Sequence, residues 1–309
     1  MSSHRPLTRP AVARSRREVF RLGGALALGG LLAACGSDAS DGSSGDGSST
    51  GGSSGSGTTD GFVLATRYPV SKALTPGEVR LAVSLADQNA SLITDGPATL
   101  VGRVRDEQGA IVTEFEAPRR GAGLSVPYWS ITANLPARGL YDLQVEGALG
   151  DPAPFLVWDT TEVTVPSPTM ALPPFDTPTL ADARGVDPVC TRSGEPCPFH
   201  EVTLTDALGA GLPVVYMIGT PAHCQFATCG PGLDFLIDLA PAYAGKATFV
   251  HAEVYADPEA TTVAPAVDAA GLDYEPVIWI TDATGTITRR IDIVWDEEEL
   301  AAMLAASLA

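Results

Sequence analysis

Residues 36–61 are almost entirely Gly, Ser, Asp and Thr. Such a tract has almost no apolar surface to bury and so nothing to offset the entropy of ordering its backbone. A packed core can begin only after it, and the tract itself (35–61, with Cys35 at its head) reads as a flexible tether.

The segment before the tract is basic and then apolar. Arginines stand at positions 5, 9, 14, 16, 17 and 21, and Leu22 to Ala34 is a run of Leu, Gly and Ala too short to anchor stably across a bilayer. Residues 1–34 thus have the layout of a signal peptide. They close on Leu32-Ala33-Ala34-Cys35, which resembles a bacterial lipobox, where small residues admit the signal peptidase and the Cys sulfur takes a diacylglyceryl group. Upstream, Ser15-Arg16-Arg17-Glu18-Val19-Phe20-Arg21-Leu22 resembles a twin-arginine export signal, with Phe20 one place later than usual. These resemblances imply an exported lipoprotein, held to a membrane through Cys35 on its extracytoplasmic side.

Export alters the charge balance. Six arginines and one glutamate precede Cys35, so the 19 basic and 37 acidic residues of the whole chain become 13 and 36, a formal −23. That surface repels phosphate backbones and anionic headgroups, which argues against nucleic acid as a partner and leaves the lipid as the route to a membrane. No run of 18 or more apolar residues follows Cys35, so no further span is expected.

From residue 62 to 165 short alternating segments replace the tract: Glu78 to Val83, Thr99 to Arg105, Ile111 to Phe115, Tyr128 to Ala133, Tyr141 to Val145 and Phe155 to Trp158. Each is bounded by Gly, Pro, Asp or Asn, and none has a 3.6-residue period, so the region is expected to be an antiparallel β-sandwich of immunoglobulin-like type. Gly109 sits where a hairpin turn wants positive φ. The region holds no His or Cys. Arg119-Arg120 reads as a solvated pair, and Tyr128, Trp129 and Tyr141 as core, leaving a spacer or partner-binding module.

A Pro-rich linker, 166–180, leads to a mixed pattern over 181–309. Strands are expected at Leu212 to Ile218, Ala247 to Tyr255, Pro276 to Thr281 and Ile287 to Val294. Helices are expected at Leu204 to Leu208, Pro231 to Leu239, Pro258 to Ala270 and Asp296 to Leu308. Cys229-Gly230-Pro231 at a strand-to-helix junction, Pro276 opening a strand after Glu275, and the Asp282 to Thr286 hairpin together resemble the thioredoxin family over roughly a third of the chain. The resemblance implies an α/β thioredoxin-like domain, a mixed sheet flanked by helices, following the all-β Ig-like sandwich, with Pro276 as its cis-proline. Gly232 replaces the second Cys of the family motif, so exchange between Cys229 and residue 232 is impossible.

The partner available to Cys229 is Cys224. Five residues apart on a helix they would be too distant to bond, so a bonded pair requires a loop. Pro231 favours a helix that starts near Cys229, placing that thiol at the positive end of a helix dipole and making it the more activated of the two. Three readings stay open: a structural disulfide in a non-enzymatic binding or scaffold lipoprotein, a redox-active pair that exchanges with a protein thiol or disulfide partner or reduces a peroxide, and a copper site. Copper(I) would take Cys224, Cys229 and His223, with His251 as a distant ligand. Cys190 and Cys197 span a Gly- and Pro-containing loop that closes easily as a structural disulfide, in preference to metal binding with His200. The reading that gathers most of these features is thiol–disulfide exchange at Cys224 and Cys229, with no cofactor.

Overall fold

The computed structural model describes residues 61–308. The expected signal peptide, Cys35 and the Gly/Ser tract through residue 60 lie outside the described residues. No helix among the described residues is long and apolar enough to cross a membrane.

The first unit has seven strands: β1 (Val63–Thr66), β2 (Gly77–Ala86), β3 (Thr99–Asp106), β4 (Ile111–Arg120), β5 (Tyr128–Leu135), β6 (Gly139–Val145) and β7 (Ala153–Val157). They pair antiparallel in the order β1-β2-β5-β4-β3-β6-β7. Alternation drives this. On β5 Ile131, Ala133 and Leu135 point inward while Thr132 and Asn134 face solvent, and on β6 Tyr141, Leu143 and Val145 are buried. One core takes side chains from β2 and β5 at one end of the order and from β6 and β7 at the other, so the sheet curls over to enclose it. Where two separate sheets were expected there is one continuous sheet, because β4 pairs with β3 along most of its length and with β5 at Arg119 and Arg120. The unit is Ig-like, down to a corner in which the Tyr141 hydroxyl donates to the Ala137 carbonyl at 2.8 Å.

The second unit holds β8 (Val214–Ile218), β9 (Thr248–Ala252), β10 (Val277–Thr281) and β11 (Ile287–Asp292), in the order β11-β10-β8-β9 with β8 and β9 parallel. Every residue of β8 and β10 is buried, as continuous apolar runs in central strands require. Four α-helices accompany it: α1 (Leu204–Gly209), α2 (Cys229–Leu239), α3 (Pro265–Ala269) and α4 (Glu297–Ser307). Leu233 and Leu236 of α2 and Leu300 and Leu304 of α4 cover one face.

The expected thioredoxin-like α/β fold is overturned. The chain is β-rich, with eleven strands against four α-helices of 6, 11, 5 and 11 residues among the described residues. Its largest sheet is antiparallel, and one face of the smaller sheet is covered mainly by irregular chain, including Val165, Leu172, Val254, Tyr255, Ala260 and Val263. The helix expected over 258–270 shrinks to α3 for a local reason. The Asp257 carboxylate accepts N–H bonds from Thr261 and Thr262, which holds a turn in place of a helix, and Pro265 then serves as a helix start.

The connector 166–180 is part of this packing. Ser167 is buried, Trp279 Nε1 donates to the Pro166 carbonyl at 2.8 Å, and Ala171 bridges Thr286. Arg290 of β11 reaches the Ala73 carbonyl and Ser167 Oγ at 2.9 and 2.8 Å, tying both units to the connector.

Candidate functional site

Two cysteine clusters lie at the C-terminal ends of the parallel strands β8 and β9. At the first, α2 begins at Cys229, with Pro231 in its opening turn. Cys229 is disulfide-bonded to Cys224, with their Cα atoms 5.9 Å apart. The four intervening residues form a loop in which Ala227 adopts φ 53°. Cys229 is fully buried, whereas Cys224 is partly exposed beside the exposed Gln225 and Phe226. The roles expected from helix position alone are therefore reversed for access: of the two cysteines, Cys224 is the one partly open to solvent.

Beneath the disulfide lies the buried Glu275, whose Oε2 is 3.6 Å from Cys229 Sγ and accepts the Thr220 N–H at 3.1 Å. The Glu275–Pro276 peptide bond is cis. Gly219, just after β8, is squeezed between these groups: a Cβ there would stand 3.2 Å from Pro276 Cβ and 3.6 Å from Cys229 Cβ.

The second cluster consists of Cys190, Cys197, His200 and His251, all buried, with one donor atom from each lying within 4.8 Å of the others. The expected Cys190–Cys197 disulfide is absent, and both are free thiols. The loop carrying them is drawn against β9 by a bond from the His251 N–H to the Phe199 carbonyl at 3.0 Å. The His251 ring then turns its Nδ1 toward Cys197 Sγ at 3.6 Å, Cys190 Sγ at 4.0 Å and His200 Nε2 at 3.1 Å, while its Nε2 lies 3.0 Å from the Gly219 carbonyl. A carbonyl only accepts, so Nε2 carries the proton and Nδ1 presents a lone pair. A hydrogen bond from Cys197 outweighs burial and holds the Cys190 thiol far below its ordinary value; Cys197, hydrogen-bonded to that sulfur and buried, is pushed far up.

The two clusters share a polar seam that the sequence did not reveal. Thr191 donates through N–H and Oγ1 to Glu253 Oε1 at 2.6 and 2.9 Å, and its Oγ1 accepts the Ala222 N–H from the disulfide side. Burial raises the Glu253 carboxyl above its usual range despite these bonds. The copper set is not assembled as expected: His251 belongs to the second cluster, and the His223 ring packs edge-on against Tyr255 at 6.0 Å. The sequence signal for the second cluster is the spacing Cys197-x-x-His200 with Cys190 upstream, a pattern that also fits a disulfide loop.

No protein-family model matches the chain, and no curated protein matches it significantly. Among solved structures it is similar to the PKD domain of the human VPS10 domain-containing receptor SorCS2, at 17% identity, covering 38% of this chain and 96% of that one, with a TM-score of 0.17. At that TM-score the likeness says nothing of what the chain does.

Proposed function

We propose that this is an exported lipoprotein, anchored through Cys35 at the extracytoplasmic face of a membrane, whose Cys224–Cys229 disulfide exchanges with the dithiol of a protein partner. The observation that carries the reading is the asymmetry of the bond. One cysteine is partly exposed, and the other is buried at the head of an 11-residue helix.

A partner thiolate attacks Cys224 Sγ, the Cys224–Cys229 bond breaks, and the electron pair leaves on Cys229. The helix N-terminus favours that thiolate. The Glu275 carboxyl, 3.6 Å away, repels it when ionised and supplies its proton when neutral. The partner's second thiolate then attacks its own mixed-disulfide sulfur, releasing Cys224. The partner loses two electrons, and the pair ends as two thiols. The signal segment and Cys35 support the location, since an oxidising compartment is where such a bond persists.

The test is the reduction potential of the pair in the full chain. A value near −120 to −200 mV is expected of an exchanging disulfide, and one below about −300 mV marks a structural bond in a binding or scaffold protein. Cys35→Ala should release the protein from the membrane fraction without changing that potential.

A further inference from the structure

Four soft donors buried in one place, with no disulfide between the two sulfurs, need an explanation that the exchange site does not supply. We propose that Cys190, Cys197, His200 and His251 bind one zinc(II) ion in a closed, structural site. The geometry is that of a tetrahedron. Zinc bonds of about 2.3 Å to sulfur and about 2.0 to 2.1 Å to nitrogen put S and N about 3.5 Å apart and two nitrogens about 3.3 Å apart. The distances from His251 Nδ1 are 3.6 and 4.0 Å to the two sulfurs and 3.1 Å to His200 Nε2.

The surroundings fit a ligand role. His251 Nε2–H is held by the Gly219 carbonyl, the outer-shell partner that fixes a metal-bound imidazole and aims its lone pair. The Cys197 N–H points at Cys190 Sγ at 3.4 Å, as donors do toward thiolate ligands. Two thiolates neutralise a divalent ion, so the buried site carries no net charge.

Donor type and size select the metal. Two sulfurs and two imidazoles in a tetrahedron suit zinc or iron–sulfur chemistry rather than magnesium or calcium. Four donor atoms all within 4.8 Å of one another enclose a single ion rather than a two-iron cluster. All four residues are buried, so no position remains open for a substrate and the ion holds the 190–200 loop to β9.

The test uses the detergent-solubilised full chain, purified without chelator, reduced, and loaded with zinc(II) or cobalt(II) alone. One zinc per chain is expected by elemental analysis, and the cobalt form should show tetrahedral d–d absorption with a sulfur-to-cobalt charge-transfer band. Cys197→Ser and His251→Gln should each lower zinc affinity by more than the roughly 10- to 100-fold that loss of an outer-shell partner costs. The Cys224→Ser/Cys229→Ser double variant should bind zinc like the parent, which separates this site from the exchange site. The proposal is overturned if the reduced wild type takes up no zinc, if its cobalt spectrum lacks the sulfur band, if copper(I) but not zinc loads, or if His251→Gln keeps full affinity. The wild-type cobalt spectrum decides the matter even where a ligand variant fails to fold.

Discussion

Glu299, in the first turn of α4, accepts two bonds from the Arg80 guanidinium of β2, from Nε at 2.9 Å and from Nη2 at 2.7 Å. The pair joins the two sheets and is nearly closed to solvent. Its remaining valences are filled. Arg80 also donates to the Asp292 and Val294 carbonyls, and the Tyr128 hydroxyl donates to Glu299 Oε2 at 2.6 Å while accepting the Asp296 N–H. The aromatic strand residue Tyr128 is thus both core and a hinge-pin between units.

Removing one partner of such a pair leaves a buried charge uncompensated. Arg80→Met is expected to lower unfolding stability by about 3 to 5 kcal/mol, and Arg80→Met/Glu299→Leu to recover most of that, since a packed apolar pair replaces a buried ionic one at little cost. Urea denaturation of the three proteins checks it. Equal loss in the single and double variants would mean that the contact is packing alone.

Acid should weaken the same junction. Burial pushes the Glu299 carboxyl up, but the Arg80 charge and the hydrogen bonds from Arg80, Ser130 and Tyr128 outweigh it and hold the group down to about 2, against an ordinary 4.5. A depressed carboxylate contributes stability that is full above its unfolded value and is lost as pH falls through the folded one. The loss is therefore expected between about pH 4.5 and 2, on the order of 3 kcal/mol. Glu299→Gln should flatten that part of the stability–pH curve, and an unchanged slope would assign it to other carboxylates.

Gly232 stands where a second cysteine of a Cys-x-x-Cys motif would fall, and the structure gives a steric reason for glycine. A Cβ there would meet the Trp295 ring at 2.9 Å, and the Gly232 carbonyl accepts the Trp295 Nε1–H at 3.2 Å. Gly232→Ala should lower stability by about 1 to 3 kcal/mol through overpacking, less up to about 1 kcal/mol gained in helix propensity. A melting temperature at or above that of the parent would show that Trp295 yields freely.

What was legible in the sequence follows from the range of the forces involved. The strands of the first unit were readable because inward and outward residues alternate within each, as Ile131, Thr132, Ala133 and Asn134 do. The buried runs of β8 and β10 were readable as strands, and the Cys224–Cys229 loop followed from disulfide reach. The fold class of the second unit was not, because side-chain turns such as that of Asp257 compete with helix over a few residues. The free state of Cys190 and Cys197 was not legible, because spacing reports what a loop can close and is silent about His251, brought in from β9 more than fifty residues away.

Access separates the bonded cysteines more sharply than electrostatics does. After reduction of the full chain, Cys224 is partly exposed in its loop, while Cys229 has to be uncovered by local opening of the first turn of α2 before a reagent reaches it. Alkylation followed by peptide mapping should therefore label Cys224 at least about tenfold faster, the ratio that an opening free energy of about 1.4 kcal/mol would impose. Cys190 and Cys197, also buried, should label more slowly than Cys224. Equal rates at Cys224 and Cys229 would mean that the head of α2 opens freely once the bond is cut, and the exchange reaction would then have two points of attack.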